Sequence, residues 1–360
     1  MPTAVVGLLV ILVGLYVILA GAAWGGFLQS RRQPAPSPPL DWPSVSVVVP
    51  VSTESPEATM QALQACDYPP DRLDVLLLHS GSVESSFGNE HGDLSVRRVS
   101  VEARDLDEHA LETALDAAHG NVVLTLPPGS TVSPPWIRVM VRHCTADTPM
   151  VVGPTVIEHE DLFLPRLQAL QHVGRQVLSA GLSQFGLPLG PGTQNRALRP
   201  ASLPSEQDGR AGLLRTAPPD ASTLYAPDPD AIARQSPVSS FVEYTRTQAR
   251  GLARSSQDSS WIVRGRAVGL WLLHTVLLTC SVVAIILPAW RQPTLLALVG
   301  KMGADVLLTL PAAKLYGQRD LLRSIVSTVL MQVVALPLAG PWALVDRFQE
   351  PMPEQGDSET

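Results

Sequence analysis

Three polar segments follow the apolar strands that the sequence predicts: Ser52–Glu54, His79–Ser82 and Pro127–Thr131. Ligands of open parallel sheets bind beyond the carboxyl ends of the strands, so chemistry would take place at these segments. An imidazole in such a position could act as a metal ligand or as a general base. His79 is therefore a candidate site residue, and the alternative is an ordinary residue of a turn.

Glu158–Asp161 contains one histidine between acidic residues, and these residue types could bind a metal. These side chains are adjacent rather than spaced along one face, so the segment is predicted to be a loop before a helix. Cys66, Cys144 and Cys280 are too widely separated for a zinc site or a disulfide framework. The sequence contains no GxGxxG, P-loop or GxSxG pattern that would indicate another chemistry.

Lys301 and Asp305 interrupt an otherwise apolar run near the end of the chain. They are four residues apart, which places them on one face of a helix. Charged side chains at membrane depth are costly and often functional. The alternative, which we favour, is a neutralising pair that helps to pack this helix against its neighbours.

The elements that would position these residues alternate between strands and helices from residue 42 to residue 260. Strands that are apolar throughout predict a parallel sheet covered by helices on both faces. Residues 200–240 lack periodicity and predict a long surface loop with short elements. The predicted strands are Val45–Pro50, Asp74–Leu78, Leu94–Val101 and Val122–Leu126, and the helices are Ser55–Ala65, with Ser55 as its N-cap, and Asp107–Ala118.

Four apolar runs predict transmembrane helices, because about 20 apolar residues span a bilayer. They are Ala4–Phe27, Ala267–Trp290, Leu295–Leu310 and Ser324–Val345. The alternative for the first run, a cleaved signal peptide, would require a basic segment before it. Pro337, Gly340 and Pro341 predict that the last run is kinked or partly interfacial.

The basic residues at the ends of these runs predict the orientation of the chain. Arg31 and Arg32 follow the first run, so the positive-inside rule places the α/β domain in the cytosol and both termini outside. Composition agrees with a membrane protein, since 45% of the residues are hydrophobic and only 16% are charged. The net charge of −7 is spread along the chain and argues against nucleic-acid binding.

The predicted domains are an N-terminal transmembrane anchor (1–30), a Pro-rich linker (31–42), a cytosolic α/β domain (43–260), a C-terminal transmembrane region (264–346) and an acidic tail (347–360).

A family resemblance rests on six segments whose order and spacing are recognisable: Val45–Pro50, Cys66–Val75, Ala117–Thr125, Val132–Trp136, Val152–Pro154 and Leu167–Leu170. Together they resemble the membrane-bound family-2 glycosyltransferases, and the resemblance covers nearly the whole chain. It implies an α/β fold with a GT-A-like nucleotide-sugar-binding domain. It also implies transmembrane helices, one N-terminal and about three C-terminal.

The chain departs from the family at the positions that hold a metal. The family places an acidic pair after its second strand and a DxD motif after a later strand, and these carboxylates hold Mg²⁺ or Mn²⁺. Here the acidic pair is replaced by His79-Ser80, and DxD is replaced by Pro127-Pro128-Gly129. We therefore predict no bound cofactor and no metal held in the way of the family.

The remaining site residues are carried over from the family by position. Asp208 corresponds to the general base, and its alternative is a solvated loop acid. The predicted nucleotide-sugar contacts are Glu54, His79, Ser80, Gly81 and Arg250. Glu54 could instead be a charge at a helix N-terminus, and Arg250 an ordinary interfacial arginine. The tryptophan that follows the arginine in the family motif is replaced by Gly251.

Two functions compete on these grounds. The first is transfer of a sugar from a nucleotide-sugar to a lipid or polysaccharide acceptor in envelope glycan synthesis, with impaired metal-dependent catalysis. The second is a non-catalytic scaffold or regulator of a membrane glycan-assembly complex. The predicted partners are membrane lipid, a nucleotide-sugar and glycan-synthesis proteins, and the predicted location is the inner cell membrane. Metal-independent transfer by basic side chains is a third hypothesis, but no Lys or Arg cluster marks the predicted strand ends.

Overall fold

The computed structural model describes residues 2–34, 36–51, 56–80, 94–101, 108–187, 194–203, 223–258 and 260–349. The α-helices in this part of the chain are α1 (Pro2–Ser30), α2 (Glu57–Gln64), α3 (Glu108–Ala117), α4 (Trp136–His143), α5 (Phe163–Ser183), α6 (Phe241–Gln257), α7 (Trp261–Ile286), α8 (Arg291–Leu315) and α9 (Ile325–Gln349). The strands are β1 (Val45–Pro50), β2 (Leu73–Ser80), β3 (Ser95–Val101), β4 (Val122–Thr125), β5 (Thr131–Val132), β6 (Met150–Val152), β7 (Thr155–Ile157), β8 (Arg196–Leu198), β9 (Thr223–Tyr225) and β10 (Ala233–Gln235).

The main sheet has seven strands in the order β3-β2-β1-β4-β8-β6-β9. Strands β1 to β4 pair in parallel, as the sequence predicts, whereas β8 is antiparallel to both β4 and β6. The sheet is therefore mostly parallel rather than entirely so. A second sheet, β5-β10-β7, has three strands and contains one antiparallel pair.

Alternating side chains of the strands enter two different cores, because successive residues of a strand point to opposite faces. In β1, Val47 and Val49 pack with α2 and α4, and Trp136 is the largest side chain of that core. Val48 and Leu76 lie on the other face, in a core that also contains residues of α1, α5, α7 and α8. The sheet therefore packs onto the long apolar helices through one of its faces.

Two of the boundaries that differ from the predictions concern candidate residues. Helix α2 begins after Pro56, which makes no side-chain capping bond, so Ser55 is not the residue that caps this helix. His79 and Ser80 are the last residues of β2 and not part of a turn, because they pair with Ser100 and Val101 of β3. Ser55 itself lies outside the described residues.

Four helices are long and apolar enough to cross a membrane: Ala4–Ser30, Trp261–Ile286, Pro288–Leu315 and Arg319–Trp342. Helix α9 continues through Pro337 and Pro341, and the predicted kink or partly interfacial position of this run stays a prediction. A proline removes the amide hydrogen that would bond the carbonyl four residues earlier. The carbonyl freed by Pro341 is that of Pro337, and the indole N–H of Trp271 in α7 donates to it at 3.4 Å.

Helix α1 is packed against the rest of the molecule and contacts both α5 and α8. Its backbone meets that of α5 at two glycines, Gly26 and Gly181. A Cβ atom on Gly181 would lie 1.8 Å from the carbonyl oxygen of Ala23, and one on Gly26 would lie 2.1 Å from the carbonyl oxygen of Gly181. Only glycine fits at this crossing.

Lys301 and Asp305 form the predicted neutralising pair on α8, and both are buried. Asp305 also accepts a hydrogen bond from the hydroxyl of Tyr16 in α1 at 2.5 Å. The Lys301 ammonium donates to Gln332 in α9 at 2.7 Å. The pair therefore joins three of the apolar helices, which confirms the packing interpretation.

Replacing Asp305 with Asn should destabilise the protein, because the buried Lys301 ammonium loses its counter-charge. Breaking one side of a buried ion pair costs roughly 3–5 kcal/mol, so we expect a clearly lower thermal midpoint in detergent. The double variant Asp305→Asn/Lys301→Met is the control and should recover part of the loss. An Asp305→Asn protein that melts like the parent would contradict this role.

Substituting Gly181 with Ala should separate α1 from α5, because the added methyl group meets the backbone of α1. Overpacking of this kind costs roughly 1–3 kcal/mol, and thermal unfolding in detergent measures it. Gly14→Ala in α1 is the matched control, since a Cβ there meets nothing within 4 Å. Equal thermal midpoints for the two variants would show that the crossing tolerates a side chain.

Candidate functional site

The segment after β4 is a self-contained turn. Gly129 adopts φ +63°, a conformation that favours glycine, and the amide of Ser130 donates to the carbonyl of Pro127 at 3.3 Å. The Ser130 hydroxyl is fully buried and donates to the same carbonyl at 2.7 Å, while the Ser130 carbonyl accepts from Thr59 at 2.7 Å. The Ser130 side chain is thus bonded within the turn, and the Ser130 carbonyl is bonded to α2.

Of the other predicted site residues, the structure places the side chains of His79 and Arg250. His79 is at the end of β2, and its buried Nδ1 has no hydrogen-bond partner within the described part of the chain. Arg250 is exposed on α6. Glu54, Gly81 and Asp208 lie outside the described residues, and so does the side chain of Ser80. The structure therefore tests the placement of His79 and Arg250 only.

A cavity of about 600 Å³ lies between the sheets and the long apolar helices. One end reaches Pro128, Gly153 and Gln194, close to the turn after β4. The other end reaches Trp271 and Leu336 on α7 and α9. This volume is typical of small-ligand sites. Arg250 lines the cavity, whereas His79 does not.

Helix α5 supplies one of the charged side chains that line the cavity, Arg175. Its guanidinium donates to the side-chain oxygen of Gln248 in α6 at 3.1 Å, and Gln171 donates to the same oxygen at 3.3 Å. Gln171 in turn accepts from the Tyr244 hydroxyl at 2.5 Å. Burial lowers the pKa of Arg175, while the nearby Tyr244 raises it. This chain of hydrogen bonds fixes where Arg175 points.

Three further arginines line the cavity: Arg250 and Arg254, one helical turn apart on α6, and Arg266 on α7. Among the described lining residues, the carboxylate is Asp305, which Lys301 neutralises. Asp258 is buried outside the lining and interacts electrostatically with Arg266. The cavity therefore carries more positive than negative charge in the part of the chain that the structure describes.

His172 lies on α5 one turn before Arg175 and also lines the cavity. Its Nε2 is buried and has no hydrogen-bond partner among the described residues. Burial, together with the charge of Arg175, lowers the pKa of His172 to about 3. His172 is therefore neutral near pH 7.

Sequence reasoning identified Arg250 but missed Arg175 and His172. The available signal was the polar stretch Gln171–Gln176 in a helix that otherwise has a buried apolar face. It also missed Asn195, a fully buried residue that follows Gln194 of the cavity lining. The Asn195 amide donates to the carbonyls of Pro154 and Ala231 at 2.7 and 2.8 Å.

No group of three or more His, Cys, Asp or Glu side chains that could hold a metal occurs within the described ranges. Glu158–Asp161 lies before α5, as predicted, and its histidine, His159, pairs with Asp320 at 2.9 Å.

No protein-family model matches the chain, and no curated protein does either. Among solved structures, it is similar to the mannosyltransferase PcManGT from Pyrobaculum calidifontis in complex with GDP-Man and Mn²⁺. The TM-score is 0.54 at 16% identity, over 94% of this chain and 99% of that one. S. aureus TarS in complex with UDP-GlcNAc gives a TM-score of 0.36 at 9% identity, over 84% and 92% of the two chains. A mycobacterial protein gives 0.38 at 17% identity, over 59% and 74%.

The likeness to PcManGT extends over almost the whole of both chains and defines the fold. The protein has a GT-A-like glycosyltransferase fold, with a mostly parallel sheet. Four long apolar helices accompany this domain.

The low pKa of His172 predicts a specific dependence of stability on pH. The unfolded chain binds a proton near the ordinary histidine pKa of about 6.5, whereas the folded chain resists protonation down to pH about 3. The free energy of unfolding should therefore decrease as the pH is lowered through this window. His172 contributes about 1.4 kcal/mol of this decrease per pH unit.

Thermal midpoints of the parent and of His172→Gln, measured between pH 7.5 and pH 5, check this dependence. The parent should lose more stability than the variant as the pH falls, because only the parent carries the titrating imidazole. Parallel curves would mean that His172 is readily protonated in the folded protein.

Proposed function

We propose that the protein is a membrane-bound member of family 2 of the glycosyltransferases, in which metal-dependent catalysis is impaired. It would transfer a sugar from a nucleotide-sugar to a lipid or polysaccharide acceptor in the synthesis of envelope glycans. The observation that carries the proposal is the combination of a glycosyltransferase fold with a turn, Pro127–Gly129, that offers no side-chain ligand. PcManGT, which shares the fold, was solved with GDP-Man and Mn²⁺.

The outward faces of the four long helices support a membrane location. Val10, Ile285, Leu295 and Val326, one from each helix, are all more than half exposed, as expected of side chains that contact lipid. We propose an inner-membrane protein with residues 1–30 and 264–346 in the bilayer and the α/β domain at 43–260 in the cytosol.

The site residues of this proposal come from the family resemblance. Asp208 would be the general base, and Glu54, Ser80, Gly81 and Arg250 would contact the nucleotide-sugar. His79 would join them at the end of β2.

A second candidate function is a non-catalytic scaffold or regulator in a glycan-assembly complex. The observation in its favour is the same turn, because Pro127–Gly129 carry no carboxylate and the buried Ser130 hydroxyl is already bonded to the Pro127 carbonyl. This candidate requires partner proteins and no bound donor sugar.

Calorimetry on the detergent-purified full chain distinguishes the candidates, with GDP-mannose and UDP-GlcNAc titrated in the presence of either Mn²⁺ or EDTA. We expect the affinity to differ by less than about twofold between the two conditions, because Pro127–Gly129 offers no side-chain ligand for Mn²⁺. Such a difference is well below the tenfold that 1.4 kcal/mol produces. Release of GDP or UDP on incubation with a membrane-lipid extract then measures transfer.

Binding that requires Mn²⁺ would contradict the loss of the metal site. Absence of binding under both conditions would contradict sugar transfer and favour the scaffold.

A further inference from the structure

Helix α9 begins at the end of the helix bundle that carries the α/β domain. It follows α8 after a short turn, Arg319–Ser324, and this turn is bound to the domain. Asp320 pairs with His159 at 2.9 Å, and Leu321 packs against Leu170 of α5. If the chain crosses the membrane four times, α9 must run from this domain end of the bundle to the opposite end.

Helices α7 and α8 give the direction against which α9 is compared. A short turn, Pro288–Trp290, joins them, and the hydroxyl of Thr294 donates to the carbonyl of Cys280 at 3.4 Å close to this turn. Two helices joined by so short a connection are antiparallel. The start of α7 therefore lies at the same end as the last residues of α8, which is the domain end.

Helix α9 does not follow α7 towards the opposite end. Gln332 lies beside His274 of α7, and a Cβ atom on Gly340 would lie 2.3 Å from the indole nitrogen of Trp271. The helix rises by about 12 Å from Gln332 to Gly340, whereas the partner on α7 changes from His274 back to Trp271. A helix that crossed the membrane beside α7 would meet later residues of α7 and not earlier ones.

Helix α6 shows where α9 goes instead. Tyr244 packs with Ala335, and Ala249 packs with Ala339. The two helices therefore lie side by side and run in the same direction. Helix α6 ends at Gln257, immediately before the short link to the start of α7. Because the start of α7 is at the domain end, α9 runs back towards that end together with α6.

The exposed arginines of α6 exclude a position of this helix pair deep in lipid. Arg246, Arg250 and Arg254 are all exposed, and the guanidinium of Arg246 lies 5.3 Å from the ring centre of Trp342 in α9. Arginine is among the most costly residues at the centre of a bilayer. Both helices therefore lie at a level from which charged side chains reach water.

We infer that α9 lies along the cytosolic leaflet and does not cross the membrane, so that the segment after α9 is on the same side as the α/β domain. Exposed apolar side chains recur at every fourth position of α9, at Val326, Leu330, Val334 and Leu338. They contact the acyl chains of this leaflet, while α5, α6 and α7 pack against other sides of the helix. Interfacial helices bury an apolar face about 5–10 Å deep in this way.

This inference rests on the proposed membrane location and not on sugar transfer. It replaces four crossings of the membrane with three, made by α1, α7 and α8. Helix α9 then holds α6 at the membrane surface, and Gln248 of α6 is bonded to Arg175 and Gln171 of α5. The α/β domain is thereby held at a fixed height above the leaflet.

Labelling with a membrane-impermeant maleimide tests the side on which the segment after α9 lies. Ser358→Cys is made in the full chain and labelled in spheroplasts, either intact or permeabilised, with the parent and its three native cysteines as background. Two matched variants mark the two sides: Asp147→Cys, exposed between α4 and β6, and Gln292→Cys, exposed at the start of α8. We expect Ser358→Cys to behave like Asp147→Cys and to lose its labelling when the spheroplasts are intact.

A charge placed on the helix gives a second measurement that needs no label. Val334→Arg and Val299→Arg each replace an exposed valine, the first on α9 and the second on α8. Val299→Arg should lower the amount of membrane-inserted protein by at least about tenfold, because an arginine within a crossing helix costs more than 1.4 kcal/mol. Val334→Arg should stay within about twofold of the parent, because its side chain can extend to the headgroups.

The outcomes separate this inference from the membrane location itself. Labelling of Ser358→Cys together with Gln292→Cys, and not with Asp147→Cys, would overturn the inference and leave a membrane protein with four crossings. Equal labelling of all three variants in intact spheroplasts would contradict the membrane location on which the inference rests. Equal losses for Val334→Arg and Val299→Arg would also overturn it, since both side chains would then face the hydrocarbon core.

Discussion

The backbone contact between α1 and α5 fixes the geometry on which the cavity depends. At Gly181 the two helices approach so closely that a single methyl group would collide with the carbonyl of Ala23. The opposite side of α5 is tied to the small sheet, where the amide of Thr155 donates to Gln176 at 2.8 Å. Helix α5 is therefore held from both sides. His172 and Arg175 inherit their positions from these contacts, because they lie within about two turns of them on the same helix.

This arrangement changes how the N-terminal helix is understood. As a sequence it is an uncharged apolar run that could serve as a simple anchor. In the structure, the hydroxyl of Tyr16 donates a hydrogen bond to Asp305 of α8. Phe27 lies against Tyr225 of β9, with ring centroids 6.2 Å apart. Tyr225 also shares a hydrogen bond with Tyr316 at 2.8 Å. The first helix thus forms part of the wall between the sheet and the apolar helices.

The sequence predicted those elements whose signal is local. Strand β1 has the predicted limits because a β-branched run ends at a proline. Strand β2 is longer than predicted, since His79 and Ser80 are recruited by pairing with β3, which local pattern cannot reveal. Strand β8, Arg196–Leu198, has three residues and an antiparallel neighbour on each side. Such a strand is too short to produce a periodicity, and its pairing is decided by tertiary contacts.

The same limit applies to the candidate site. Arg250 was identified because it matches a motif of the family that the chain resembles. Arg175 lies in a helix whose apolar pattern indicates only packing against the core. The cavity exists only where α5, α6 and α7 meet, so no single segment contains it. The lack of metal ligands in the turn after β4 could be predicted from the sequence, because Pro127 and Gly129 have no side-chain ligand. The cavity beside it could be recognised only from the placement of helices that are distant in sequence.

The indole of Trp271 fills a gap that a proline leaves in a different helix. Pro341 cannot donate to the carbonyl of Pro337, and Trp271 of α7 supplies that hydrogen bond. Inside a bilayer there is no water to take over, and an unbonded carbonyl is costly. Helix α9 therefore completes its hydrogen bonding only when α7 already stands beside it. Because α7 precedes α9 along the chain, the donor Trp271 is synthesised before the acceptor Pro337. The order of synthesis thus provides the donor helix before the helix that needs it, and a rearranged chain with α9 first would form α9 with this carbonyl unbonded.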